Sequence, residues 1–165
     1  MNKAKAGTAF EAFFVPRIRG LREAAFWVLA GLSVIFLLAL LSYSPADPAF
    51  SIAGDDIAVV NRMGPAGAWF ADVAFLLFGA SAYLFPVLVL IAGVFLFRGD
   101  ELPDRSAMIW RGAGFLLAIA TSSGLATLHF QSPDLRETAG GILGRIVGHG
   151  LEYGLGLLGT TVLLL

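Results

Sequence analysis

The densest group of side chains able to do chemistry lies near the end of the chain, where Arg145, His149 and Glu152 follow one another at i, i+4 and i+7. That spacing places all three on one helical face, where they could ligate a metal or relay a proton. A single histidine beside an arginine makes a poor cation site, however, and the same pattern is what the wet side of a helix lying at a membrane interface requires. The other histidine, His129, has no partner in the sequence pattern and falls near the end of an apolar run, where an imidazole reaches interfacial water. The chain has no cysteine, so thiolate nucleophiles, thiolate metal sites and disulfides are excluded. Its only lysines are Lys3 and Lys5, which rules out a G-x-x-x-x-G-K-[ST] phosphate loop, and no G-x-S-x-G serine elbow is present. No catalytic, cofactor-binding or metal-binding residue is therefore expected, and the net charge of −1 brings no general attraction to nucleic acid.

Hydrophobic residues make up 58% of the 165 positions and charged residues 14%, with a mean hydropathy of +0.82, far outside the range of soluble domains. The charges punctuate the chain and leave uncharged runs over 24–46, 73–97, 112–133 and 153–165. About 20 helical residues cross a hydrocarbon core of roughly 30 Å, and the runs lack the ten-residue alternation of barrel strands. The fold predicted is an all-α integral membrane domain of four helices, with spans at about 24–44, 73–97, 110–130 and 153–165 and beyond, the last truncated inside the span. Residues 1–22 form a basic tail and 23–165 the transmembrane anchoring domain. Lys3, Lys5, Arg17, Arg19 and Arg22 precede the first span and Arg98, Arg105 and Arg111 lie between the second and third, whereas the other two loops hold only Arg62, Arg136 and Arg145. The positive-inside rule then makes the N-terminus cytoplasmic and puts the loops 44–72 and 131–152 outside. A cleavable leader is the competing reading of the first run, but that run is longer than a leader's apolar region. Trp27, Tyr43, Trp69, Trp110 and Tyr153 sit near span ends as interfacial anchors.

Within the third span, Gly114, Ala118, Ser122 and Ala126 form a stripe of small residues at four-residue spacing, which lets another helix approach closely, inside one subunit or between subunits. In the second span, Gly79-Ala80-Ser81-Ala82 precedes Pro86, and the proline predicts a kink about one turn before it. Over 140–152, Ile142, Leu143, Ile146, Val147 and Leu151 oppose Arg145, His149 and Glu152, predicting a short amphipathic outer helix. Arg17, Arg19 and Arg22, behind Phe10, Phe13 and Phe14, suit contact with anionic lipid of the inner leaflet.

The segments Ser42-Tyr43-Ser44-Pro45-Ala46-Asp47-Pro48 and Asn61-Arg62-Met63-Gly64-Pro65-Ala66-Gly67-Ala68-Trp69-Phe70-Ala71-Asp72, with Gly79 to Tyr83, Pro86, Gly140-Gly141-Ile142-Leu143-Gly144 and the run from Gly156 to Leu165, carry a family likeness. From about residue 22 onward the chain resembles the four-helix N-terminal membrane domain of the FtsK/SpoIIIE family of bacterial DNA translocases. The resemblance implies a multi-pass anchor in the bacterial inner membrane at the division septum, which recruits other division proteins and assembles with copies of itself, as a hexamer in the family. It also implies a motor elsewhere in the full-length protein, using ATP and magnesium and binding double-stranded DNA. None of that motor chemistry maps to residues here. A small transporter or channel subunit is the alternative reading, and it would need ionisable groups inside the spans.

Overall fold

The computed structural model describes residues 3–51, 58–98, 104–130 and 138–165, with side chains described from Gly20 onward. The first helix, α1 (Lys3–Leu41), is 39 residues long, and its part from Gly20 is apolar enough and long enough to cross a membrane. After it come α2 (Gly64–Phe78), a 3-10 turn over Gly79–Tyr83, α3 (Leu84–Arg98), α4 (Arg105–His129) and α5 (Gly141–Leu164). Gly64–Arg98 and Arg105–His129 also meet the length and apolarity needed to span. The outward surface is inverted relative to a soluble protein: Trp27, Leu116 and Leu158 are 72%, 68% and 82% exposed. Such continuous apolar cladding is stable only against lipid.

Without a hydrophobic difference between lipid and side chain, helices associate by close packing of small groups and by hydrogen bonds. The buried cluster fits that rule, since Ala71, Ala74 and Ala82 let Leu40 and Phe75 pack closely together. Tyr43, Phe70 and Phe78 close around it, and Phe36 stacks on Phe70 at 4.3 Å. Along α1 and α3 the contacts run in opposite order. Ser33 donates its hydroxyl to the Pro86 carbonyl at 2.7 Å, Leu29 packs on Gly93, and Phe26 meets Phe97 at 5.4 Å, so the two helices are antiparallel. At the far end of α3, Arg111 of α4 lies 4.9 Å over the Phe95 ring. Asp104, just before α4, accepts the Ser106 hydroxyl at 2.6 Å, which holds its carboxyl below the usual carboxylate range. Removing the Ser33 hydroxyl (Ser33→Ala) is expected to cost about 1 kcal/mol. Reversible denaturation in mixed micelles measures it, and a change near zero would show that Pro86 needs no partner from α1.

The second span is not the single kinked helix over 73–97 that the charge-free run predicts. Helix begins at Gly64 and is interrupted by the 3-10 turn at Gly79–Tyr83, directly before the turn that holds Pro86. Pro86 then sits in the first turn of α3, where its missing N–H is no loss. The expected boundary at 73 fails because Asp72, read as a loop charge, lies within α2 and is 2% exposed, its carboxyl fully engaged. Helix α2 packs on the end of α1, where Ala39 faces Gly67 and Phe36 faces Phe70, and Tyr43, just past α1, faces Phe75. The first and third spans end close to expectation, at Leu41 and His129.

Residues 141–164 form one element bent at Gly156 (φ 68, ψ 170), so the break falls at 156 and not at the expected 152–153 boundary. Among the described residues the glycines with positive φ are Gly64, Gly79, Gly141 and Gly156, two pairs each fifteen residues apart. In each pair the first starts a helix and the second breaks it. The Gly64 N–H bonds the Asn61 carbonyl at 2.9 Å and the Gly141 N–H the Thr138 carbonyl at 2.8 Å; Gly67 bonds Met63 and Gly144 bonds Gly140 in the same way. Gly67 sits on α1 at Ala39, Gly144 on α4 at Ser123 and Thr127. Past Gly156, His129 meets Thr161 and Gly124 meets Leu164, so the end of α5 runs back antiparallel to α4 as α3 does to α1. The domain is thus a tandem repeat of one unit: a long helix, a helix crossing its end, a glycine break and a return helix.

Candidate functional site

The best-ordered polar site lies where α1 ends. Helix termini leave carbonyls without intrahelical partners, and here they are capped from a distance. The Asn61 side-chain amide donates to the Ala39 carbonyl at 2.8 Å and the Ser42 carbonyl at 3.3 Å, while its oxygen accepts the Met63 N–H at 3.0 Å. Asn61 is itself held by Asp47, whose two carboxyl oxygens accept the Val60 and Asn61 N–H groups, both at 2.9 Å. Asp72 accepts the Ser51 N–H at 2.8 Å and the Ser51 hydroxyl at 2.6 Å, with the Tyr43 hydroxyl at 3.4 Å. Asp47, Asn61 and Asp72 are 2%, 4% and 2% exposed, a burial tolerable only because the groups are paired. These three residues clamp residues 43–51 and 58–63 onto α1 and α2. None of the three stands out as a site residue in the sequence, although all lie within the family-like segments, Asp47 in Ser42–Pro48 and Asn61 and Asp72 at the two ends of Asn61–Asp72.

A second feature joins the two repeats by backbone. The Ala80 N–H bonds the Ala139 carbonyl at 2.7 Å, and the Ser123 hydroxyl donates to the Phe78 carbonyl at 3.3 Å. The Ala80 N–H of the 3-10 turn and the Phe78 carbonyl before it are therefore met by protein, as non-helical backbone at membrane depth requires. The approach is possible because no side chain intervenes. A Cβ on Gly79 would collide with the Ala139 carbonyl, and one on Gly140 or Gly144 with the Ser123 carbonyl and the Thr127 hydroxyl. Thr127 and Thr138 share a hydrogen bond at 3.1 Å beside this seam.

The expected site residues are distributed unevenly. Of the stripe, Ala126 is buried and Ser122 half-buried, but Gly114 and Ala118 are exposed, and the space a Gly114 Cβ would enter is open. Contact between α4 and α5 is made instead by Ser123, Gly124 and Thr127 with Gly144 and Gly148. On the first half of α5, Gly144 and Gly148 face α4, Gly141 lies against Leu77 and Gly79, and Ile146 is 66% exposed. His149 and Glu152 pair at 3.0 Å, with Arg145 exposed one turn before them. Among the described residues no three His, Asp or Glu side chains come together as a metal site. His129 bonds the Thr161 hydroxyl at 2.9 Å; that hydroxyl donates to the Leu157 carbonyl, so Nε2 of His129 is assigned as the donor. Arg22 is half-buried on α1, whereas the side chains of Arg17 and Arg19 lie outside the described residues.

Residues 18–165 match the family described as the 4TM region of DNA translocase FtsK/SpoIIIE. The DNA translocase FtsK 2 of Ralstonia nicotianae is 38% identical over 165 residues, covering 89% of this chain and 20% of that protein. The DNA translocase FtsK of Vibrio vulnificus is 42% identical over 145 residues, covering 84% and 14%. That of Pseudomonas putida is 35% identical over 147 residues, covering 87% and 18%. The chain thus spans about a fifth or less of the length of these curated relatives. No solved structure matches it. An all-helical domain clad in apolar side chains, matched along nearly its whole length, places this chain in the FtsK/SpoIIIE family as its N-terminal membrane region.

Proposed function

We propose that this domain anchors and assembles a septal DNA translocase that couples chromosome segregation to cell division. The motor that uses ATP and magnesium and grips double-stranded DNA lies outside these 165 residues. The helix after Gly156 serves as the fourth span, a reading supported by its antiparallel contacts with α4 through His129 and Gly124. The N-terminus and the 98–111 connection face the cytoplasm, supported by Lys3, Lys5, Arg17, Arg19, Arg22, Arg98, Arg105 and Arg111 at those ends. The segment 140–152 is the outer amphipathic helix, with Arg145, His149 and Glu152 toward water. Arg17, Arg19 and Arg22 contact the inner leaflet, and the domain meets other division proteins at the septum.

The observation that carries the assembly role is the uncovered half of the small-residue stripe. Gly114 and Ala118 leave a shallow groove on α4 that none of the chain's described residues fills, which suits a helix of another copy, in a hexamer as in the family. The double change Gly114→Leu with Ala118→Leu fills the groove without touching the internal contacts. Energy transfer between labelled copies in liposomes should fall to the level of random encounter, and septal fluorescence should fade. If both persist while insertion is normal, the groove has no part in assembly.

A further inference from the structure

We propose that the cleft where α1 ends binds one glycerophospholipid, its phosphodiester held by Arg62 and Ser44 and an acyl chain lying along Leu38 and Leu41. The cleft holds about 370 Å³ and is lined by those residues with Ser42 and Val60 on its walls. Its two ends differ in chemistry. Leu38 and Leu41 belong to the membrane-crossing part of α1, and Leu41 is 63% exposed, continuous with the lipid-facing surface. Arg62 is exposed at the rim, and its guanidinium makes no ion pair among the described residues. The Ser44 hydroxyl accepts the Ala46 N–H at 3.3 Å, which leaves its own proton to donate.

Arg62 is also fixed in place. Its backbone N–H bonds the Ser42 hydroxyl at 3.0 Å, and its neighbour Asn61 is clamped by Asp47. The negative end of α1 would normally oppose an anion here. Asn61 answers part of that field by donating to the Ala39 and Ser42 carbonyls, and the Ser42 hydroxyl donates to the Leu38 carbonyl at 2.6 Å. The buried carboxyl groups of Asp47 and Asp72 are engaged by N–H and O–H donors, so they do not compete for the guanidinium. What remains is a cation and a hydroxyl donor above an apolar slot at the depth of the headgroups, complementary to a phospholipid and to no soluble anion of comparable size. Anionic phosphatidylglycerol fits best, because its headgroup adds no second cation beside Arg62.

This inference rests on the membrane reading, and carbonate extraction of the chain from membranes tests that reading first. Retention in the pellet keeps it intact whatever follows, and release would overturn both. The delipidated chain in detergent is then titrated with phosphatidylglycerol under native mass spectrometry, which counts bound lipids. One lipid should bind ahead of the others; Arg62→Gln should weaken it roughly tenfold, Arg62→Lys less, and Arg145→Gln should leave it unchanged. Inorganic phosphate at the same concentration should not compete. Equal binding by Arg62→Gln and the unaltered chain, with matching circular dichroism, overturns the site. An equal loss in Arg145→Gln would make the effect one of general charge, and competition by phosphate would make it a free-anion site; either result also overturns it.

Discussion

Replacing Gly141 with alanine should destabilise the domain by roughly 2–5 kcal/mol, although it adds one methyl group. Two costs combine. At φ +65 any L-residue carries the left-handed penalty, on the order of 1–2 kcal/mol. The new Cβ would also fall 2.6 Å from the Gly79 nitrogen and 2.7 Å from the Leu77 carbonyl, and a backbone wall cannot rotate aside as a side chain does. Overpacking of that kind adds about 1–3 kcal/mol, more where nothing yields. Gly64 separates the two costs, since its φ is +68 but the space around it is open. Gly64→Ala should therefore lose only the conformational part. Unfolding by dodecyl sulfate in mixed micelles, followed by circular dichroism, compares them directly. If the two variants lose the same stability, the close contact between the repeats contributes nothing.

Asp47→Ala should cost about 3–4 kcal/mol, because it leaves two backbone donors buried without acceptors. Val60 and Asn61 would lose their bonds, and Asn61, no longer held, would release the Ala39 and Ser42 carbonyls that it caps. Asp47→Asn keeps one acceptor oxygen but turns an N–H toward the other donor, so it should lose about half as much. Amide exchange gives the residue-level readout: Val60 and Asn61 should lose protection together, while amides of α4 keep theirs. Unchanged protection at Val60 would mean that the buried carboxyl is incidental to the fold.

Much of this architecture is visible in the sequence because charges must be kept out of lipid. The runs from Ala24, Val73 and Gly112 mark three helices for that reason, and Pro86 correctly announces a break one turn before it. The same logic misplaces the start of the second helix. A charge-free run treats every acid as a boundary, whereas Asp72 sits inside α2 with Ser51 and Tyr43 satisfying it across 21 and 29 residues of chain. Nothing in the local pattern at Asp72 announces such distant partners. The stripe on α4 is half informative: Ala126 is packed, but the contact with α5 drifts to Ser123 and Gly124 because Gly124 on α4 meets Gly144 and Gly148 on α5, and these glycines set the approach. The tandem repeat is fainter still. Its two copies coincide mainly at the glycines Gly64, Gly67 and Gly79 against Gly141, Gly144 and Gly156, which look like the ordinary small residues of membrane helices until the positive φ of Gly64, Gly79, Gly141 and Gly156 and the close contacts of Gly67 and Gly144 are known.

The bond between the Ala80 N–H and the Ala139 carbonyl joins points about sixty residues apart along the chain. A ribosome adds roughly 5–20 residues each second, so the first repeat leaves it some 3–12 s before the second can meet it. During that interval the Ala80 N–H of the 3-10 turn lacks the acceptor that it has in the folded domain. The early chain must keep this turn near water, or against the insertion machinery, until Ala139 arrives. For this domain, the order in which helices settle into the bilayer is therefore set by hydrogen-bond supply as much as by hydropathy.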